Sequence, residues 1–210
     1  MTRRSLGLAI LLAAAIAGAV GLVLGSRLLR PPEATLLPPS DVGAGLRFQQ
    51  SVAQLLLRQG GVSQRNDPVV VTASEVNAFL ARHVAVRRRV TVWPLVVRVE
   101  DGWLEVAGRT SLRRVLEGAS IGWLDYVVPG TLLDLDVWLA AQGRLRVGDG
   151  AGELLVDRAA VGRQTVPQGW LWRLLGADPS ELLAWRMPSI VERVQLEPGR
   201  LVLHTRRRDG

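Results

Sequence analysis

The chain has 210 residues, and its 26 basic residues, all of them arginine, exceed its 19 acidic ones to give a net charge of +7. Four of those arginines flank an uncharged N-terminal run, so from residue 31 onward 22 arginines face 19 acids, a balance too even for the dense basic face of a nucleic-acid binder. The absence of cysteine excludes disulfide staples, thiolate metal sites, a cysteine nucleophile and lipoprotein processing.

Leu6 to Gly25, LGLAILLAAAIAGAVGLVLG, is twenty residues without a charge. At ~1.5 Å rise per residue a helix of that length spans the ~30 Å hydrocarbon core of a bilayer, where every backbone polar group must be satisfied within the segment. The run is longer than the apolar part of a cleavable signal peptide and is closed by Ser26, Arg27 and Arg30, so residues 1–30 are expected to be an uncleaved anchor. Arg3 and Arg4 on one side and Arg27 and Arg30 on the other leave the positive-inside rule close to a tie. The short two-arginine tail favours a cytoplasmic N-terminus and an extracytoplasmic (periplasmic or cell-surface) domain.

Residues 31–40, PPEATLLPPS, contain four prolines and read as a stiff spacer. A helix is expected from Asp41 to Gln59, capped by Ser40 or Asp41 and ended by Gly60-Gly61, with Phe48, Val52, Leu55 and Leu56 on its apolar face and Arg47, Gln50, Gln54 and Arg58 opposite. Val69 to Val71 read as a short buried strand. In the next helix Thr72 and Glu75 form a capping box, and Val76, Phe79, Leu80 and Val84 form the apolar stripe. Glu75 and Asn77 are polar enough for catalysis, but the capping spacing already accounts for Glu75, and Asn77 fits a local polar contact.

From Val90 onward the period becomes two. Val97 and Val99, the turn Asp101-Gly102, then Leu104 and Val106 make a hairpin. Leu133, Leu135, Val137, Leu139, Ala141, Leu145 and Val147 alternate with polar residues as one strand of about fifteen residues, which Gly143 lets bend or bulge. Gly148 to Gly152 turn the chain back through Leu154 and Val156, and a hairpin turning at Pro198-Gly199 closes the domain. Val166 to Met187 read as two short helices separated near Gly176. The expectation is one α+β domain over 41–206, long curved antiparallel strands covered by helices, with a basic tail at 207–210.

Little of this resembles catalytic machinery. Gly118 to Gly122 match G-x-S-x-G around Ser120, with Asp157 and His204 following in order, but the flanking residues lack the strand-to-helix context of a nucleophile elbow. Two histidines, with Asp134 and Asp136 on a polar strand face, suggest neither a metal nor another cofactor. Seven tryptophans, among them Trp170 and Trp172 beside leucines, suit core packing, a ligand pocket or a membrane interface. Arg87, Arg88 and Arg89 form a run that suits a lipid phosphate surface, as do Arg27 and Arg30.

VVVTASEVNAFL at 69–80, with its Thr/Ser-x-x-Glu-hydrophobic-Asn pattern, VRVEDGWLEV at 97–106, GRLRV at 143–147 and VGRQTVP at 161–167 resemble the YpmS-like membrane-anchored envelope proteins, related in appearance to tubular lipid-binding (TULIP-like) domains. The resemblance implies a curved sheet around a helix with lipid chains in its groove, and it brings no catalytic residue. The resulting expectation is a non-enzymatic, single-pass domain that binds lipid or another long apolar ligand. Phe79, Leu133, Leu135, Val137, Leu139, Trp170 and Trp172 would line the groove, and Arg27, Arg30, Arg87, Arg88 and Arg89 would meet the membrane surface. The competing reading is a scaffold that binds other envelope proteins without a small ligand; a serine hydrolase is the weakest.

Overall fold

The computed structural model describes residues 25–26, 30–31, 43–83, 94–118, 130–148, 150–167, 169 and 183–206. All but the last residue of the apolar run lies outside them, and among the described residues no helix is long and apolar enough to cross a membrane.

Helix α1 spans Ala44–Gln59, later than expected, with Gly43 as its N-cap and no side-chain cap; Ser40 and Asp41 lie outside the described residues. Its end is a Schellman motif: Gly61, at φ 76°, donates to the Arg58 carbonyl and Val62 to that of Leu57, and only glycine takes that left-handed position without strain. Two residues reverse their expected places. Leu56 is 55% exposed, whereas Arg58 is buried at 4%. The loop after the helix folds back, so Arg58 donates to the Asp67 carbonyl at 2.6 Å and carboxylate at 3.2 Å and to the Thr205 hydroxyl at 3.5 Å. A buried guanidinium has to be matched in this way because its desolvation is otherwise uncompensated.

Strand β1 (Val69–Thr72) leads directly into helix α2 (Ala73–His83). The capping box is present: Thr72 N–H donates to the Glu75 carboxylate at 2.9 Å, and Glu75 N–H donates to the Thr72 hydroxyl at 3.3 Å. The other Glu75 oxygen accepts from Arg47 of α1 at 3.0 Å, and the Phe48 and Phe79 rings meet 4.6 Å apart, so the cap also fixes α1 on α2.

The rest is α+β with antiparallel strands. β2 (Leu95–Glu100), β3 (Trp103–Ser111), β4 (Asp136–Gly148), β5 (Ala151–Val161) and β6 (Gln164–Val166) lie side by side in sequence order, and β7 (Ala184–Arg186) pairs with the first residues of β5. A second sheet has the order β1-β9-β8, from β8 (Val191–Glu197) and β9 (Arg200–Thr205). Helix α3 (Leu112–Gly118) follows β3, and α4 (Gly130–Leu133) precedes β4. The three expected hairpin turns are present, with Gly102, Gly150 and Gly199 at φ 72–75°. The long strand is shorter than expected, because Leu133 closes a helical turn and pairing begins only at Asp136. The ends of the expected helical insert are the strands β6 and β7; most of the insert lies outside the described residues.

One face of the large sheet is the core. Val97, Val99, Leu104 and Leu154 pack with Ala73 of α2 and Leu196 of β8; Val137, Leu139, Ala141, Ala159 and Val161 pack with Val115 of α3. A third cluster joins Leu55 to Val69, Val71, Val191 and Leu203. The ladder between β4 and β5 shifts at Gln142/Gly143, where Asp157 is the unpaired extra residue of a bulge. A Cβ on Gly143 would fall onto the Leu155 carbonyl, 2.7 Å from its carbon and 2.9 Å from the Val156 Cα. Gly143→Ala is therefore expected to destabilise the chain by about 3 kcal/mol or more, since backbone has to move; urea unfolding of the full chain in detergent measures it.

Candidate functional site

The polar residues of the capping motif serve structure. Glu75 is consumed by the cap and by Arg47. Asn77 reaches beyond a local contact: its Nδ2 donates to the Val97 carbonyl at 2.9 Å, and the Val97 N–H donates to its Oδ1 at 2.6 Å. The side-chain amide thus pairs with β2 as a neighbouring strand would.

The expected groove residues do not come together as an open groove among the described residues. Leu133, Val137 and Leu139 are exposed by 2%, 1% and 5%, and the last two are packed into the core around Val115. Leu135 is 36% exposed and lies between α4 and β4, and Phe79 packs on Phe48. Trp170 and Trp172 lie outside the described residues. So do Arg27, Arg87, Arg88 and Arg89, while Arg30 is exposed.

A concave site lies on the opposite face of the large sheet. It is a cleft of about 370 Å³ at the small end of the roughly 300–1,000 Å³ typical of ligand pockets. The register places Ala107 beside Ala140, and Ala140 beside Ala160; Ala107 is wholly buried in a cluster with Ala140, while Ala140 and Ala160 give the cleft a low floor. Taller residues stand around it: Arg98 and Trp103 from the β2–β3 hairpin, Gln142 from β4, Arg158 from β5, and Arg163 and Thr165 beyond the turn at Gly162. Arg98 lies 5.9 Å above the Trp103 ring and pairs with Glu100 at 2.8 Å. Glu105 is the one acidic lining residue. Arg158 has no ion-pair or hydrogen-bond partner among the described residues, whereas neighbouring Arg144 pairs with Asp157 at 3.2 Å. Arg163 donates from Nε to the carbonyl of Pro31 at 3.1 Å. The cleft therefore offers cationic edges, an indole face and a small apolar floor, suited to an anion that carries an apolar part.

Other chemical candidates stay apart. Asp134 and Asp136 pair with Arg113 and Arg109 at 3.1 and 3.3 Å, exposed pairs of small energetic weight. Asp157 belongs to the large sheet and His204 to the small one; Ser120 lies outside the described residues. Among the described residues no group of three His, Asp or Glu side chains is placed to hold a metal. The cleft escaped sequence reading because its arginines come from distant strands.

No family model matches the chain, and no curated protein or solved structure matches it.

Asn77→Ala is expected to lower stability by about 2–4 kcal/mol, since two hydrogen bonds are lost and the Val97 backbone is left unpaired. Val137→Trp is expected to cost about 1–3 kcal/mol or more, as the side chain has no room in the core, whereas Leu135→Trp is tolerated. Unfolding midpoints of the three variants in detergent check both statements.

Proposed function

We propose that this protein is a single-pass, membrane-anchored, extracytoplasmic domain that binds an amphiphile without transforming it. Residues 6–25 form the anchor, and the bond from Arg163 to the Pro31 carbonyl holds the first residue of the proline-rich segment against the domain. The observation that carries the reading is the cleft: three arginines and a tryptophan around a floor of alanines on the solvent side of a sheet. Ion-paired surface arginines are ordinary; arginines gathered over small residues, with an indole beside them, match a molecule that is charged at one end and apolar at the other. The lipid-binding expectation is kept, with its site moved from the core face to the outer face. The resemblance to tubular lipid-binding proteins agrees with the ligand class. The scaffold reading is the alternative outcome of the test.

The test is native mass spectrometry of the full chain purified in mild detergent and then incubated with a total membrane lipid extract. A retained lipid adduct is expected, and Ala160→Trp, which fills the floor, is expected to abolish it while leaving the unfolding midpoint within a few degrees. A bare chain at every lipid concentration sinks amphiphile binding and leaves the scaffold, pursued by crosslinking in the native membrane.

A further inference from the structure

We infer that the occupant of the cleft is the head group of a net-anionic phospholipid in the same bilayer that anchors the chain. This rests on the amphiphile-binding reading and adds the charge and the source of the ligand.

Three arginines and one glutamate line the cleft, and Arg98 is already matched by Glu100 at 2.8 Å. Arg158 and Arg163 remain, the first without a partner among the described residues and the second donating from Nε to a neutral carbonyl. Guanidinium groups present planar pairs of N–H donors that fit phosphate oxygens. Two of them beside an alanine floor fit a phosphodiester with a further anionic or hydroxylated substituent better than one that carries a quaternary ammonium.

The bond between Arg163 and the Pro31 carbonyl ties the cleft rim to the segment that follows the apolar run. Pro31 is six residue steps from Gly25, so even a fully extended chain puts the rim within about 20 Å of the end of the run. The head-group layer itself occupies on the order of 5–8 Å of that distance. A head group of the anchoring leaflet is therefore within reach without a second membrane. A cleft of about 370 Å³ takes a head group and the glycerol region while the acyl chains stay in the leaflet.

The experiment uses the full chain in nanodiscs, either phosphatidylcholine alone or phosphatidylcholine with increasing phosphatidylglycerol, and reads hydrogen exchange over residues 155–167. Protection that rises with phosphatidylglycerol is expected. Arg158→Gln and Arg163→Gln are each expected to raise the phosphatidylglycerol fraction needed for half protection, on the order of fivefold, as follows from ~1 kcal/mol per arginine near an anionic surface. Arg186→Gln on β7 serves as the control and is expected to change nothing. Inorganic phosphate added to phosphatidylcholine discs is expected to give no protection; if it protects as well as phosphatidylglycerol, the site takes soluble phosphate and the inference is overturned. It is also overturned if protection is independent of phosphatidylglycerol, or if both arginine variants behave as the parent. Should a lipid adduct nevertheless be retained in detergent, the amphiphile-binding reading survives and only the anionic, same-bilayer assignment falls. Absence of both adduct and protection removes the two together.

Discussion

The architecture depends on one side chain acting as a strand. β2 is the edge of the large sheet, and an edge leaves backbone donors and acceptors without partners. Asn77 supplies both an acceptor and a donor to Val97, and two residues further the Val99 carbonyl accepts from Gly199 N–H at 2.8 Å. Gly199 in turn accepts from Ala73 at the start of α2, also at 2.8 Å. The first turn of one helix and the tip of one hairpin therefore close the edge together. Aspartate in place of Asn77 would set an oxygen against the Val97 carbonyl, and leucine would satisfy neither group. The same helix presents Ala73, Val76 and Leu80 to the core, so the polar seam and the apolar packing fix α2 in one position.

The two faces of the large sheet divide the work. One carries the valines and leucines that hold the domain together. The other carries a small buried cluster of Ala107 and Ala140 with Trp138 and Ala160 packed on it, set between arginines, and leaves room for a ligand beside it. At the far end of the core face an aromatic fills in for a missing side chain: Gly152 pairs with Trp185 of β7, and a Cβ there would lie 2.8 Å from the indole. The ring covers a position that has no side chain of its own.

Local chemistry was legible in the sequence. The capping box of Thr72 and Glu75, the turns at Gly102, Gly150 and Gly199, and the break at Gly143 each arise from residues a few positions apart, and each is present. What escaped was long-range. Asn77 finds its partner twenty positions away, and its spacing gives no hint of a strand edge. Arg58 looked like a solvent residue because helical periodicity knows nothing of a loop that folds back over it. Leu133 continued an alternation that the chain abandons for a helical turn, a conflict of period that composition alone does not resolve. β6 and β7, three residues each, are too short to show a period at all. The cleft required strand order and register, and neither is written in any single segment.

The bulge opposite Gly143 governs more than the path of the backbone. In an unbroken strand all even-numbered residues share one face. In β5 they do not: Leu154 and Val156 point to the core, whereas Arg158 and Ala160 belong to the cleft. The single additional residue, Asp157, inverts the parity of the strand half-way along. Were Asp157 to take a regular place in the ladder, the alternation that buries Leu154 would also bury Arg158 and turn Ala159 and Val161 outward. The two faces thus meet in register at the bulge, and among single-residue deletions in β5 the one at Asp157, which restores a regular ladder, leaves both faces as they are.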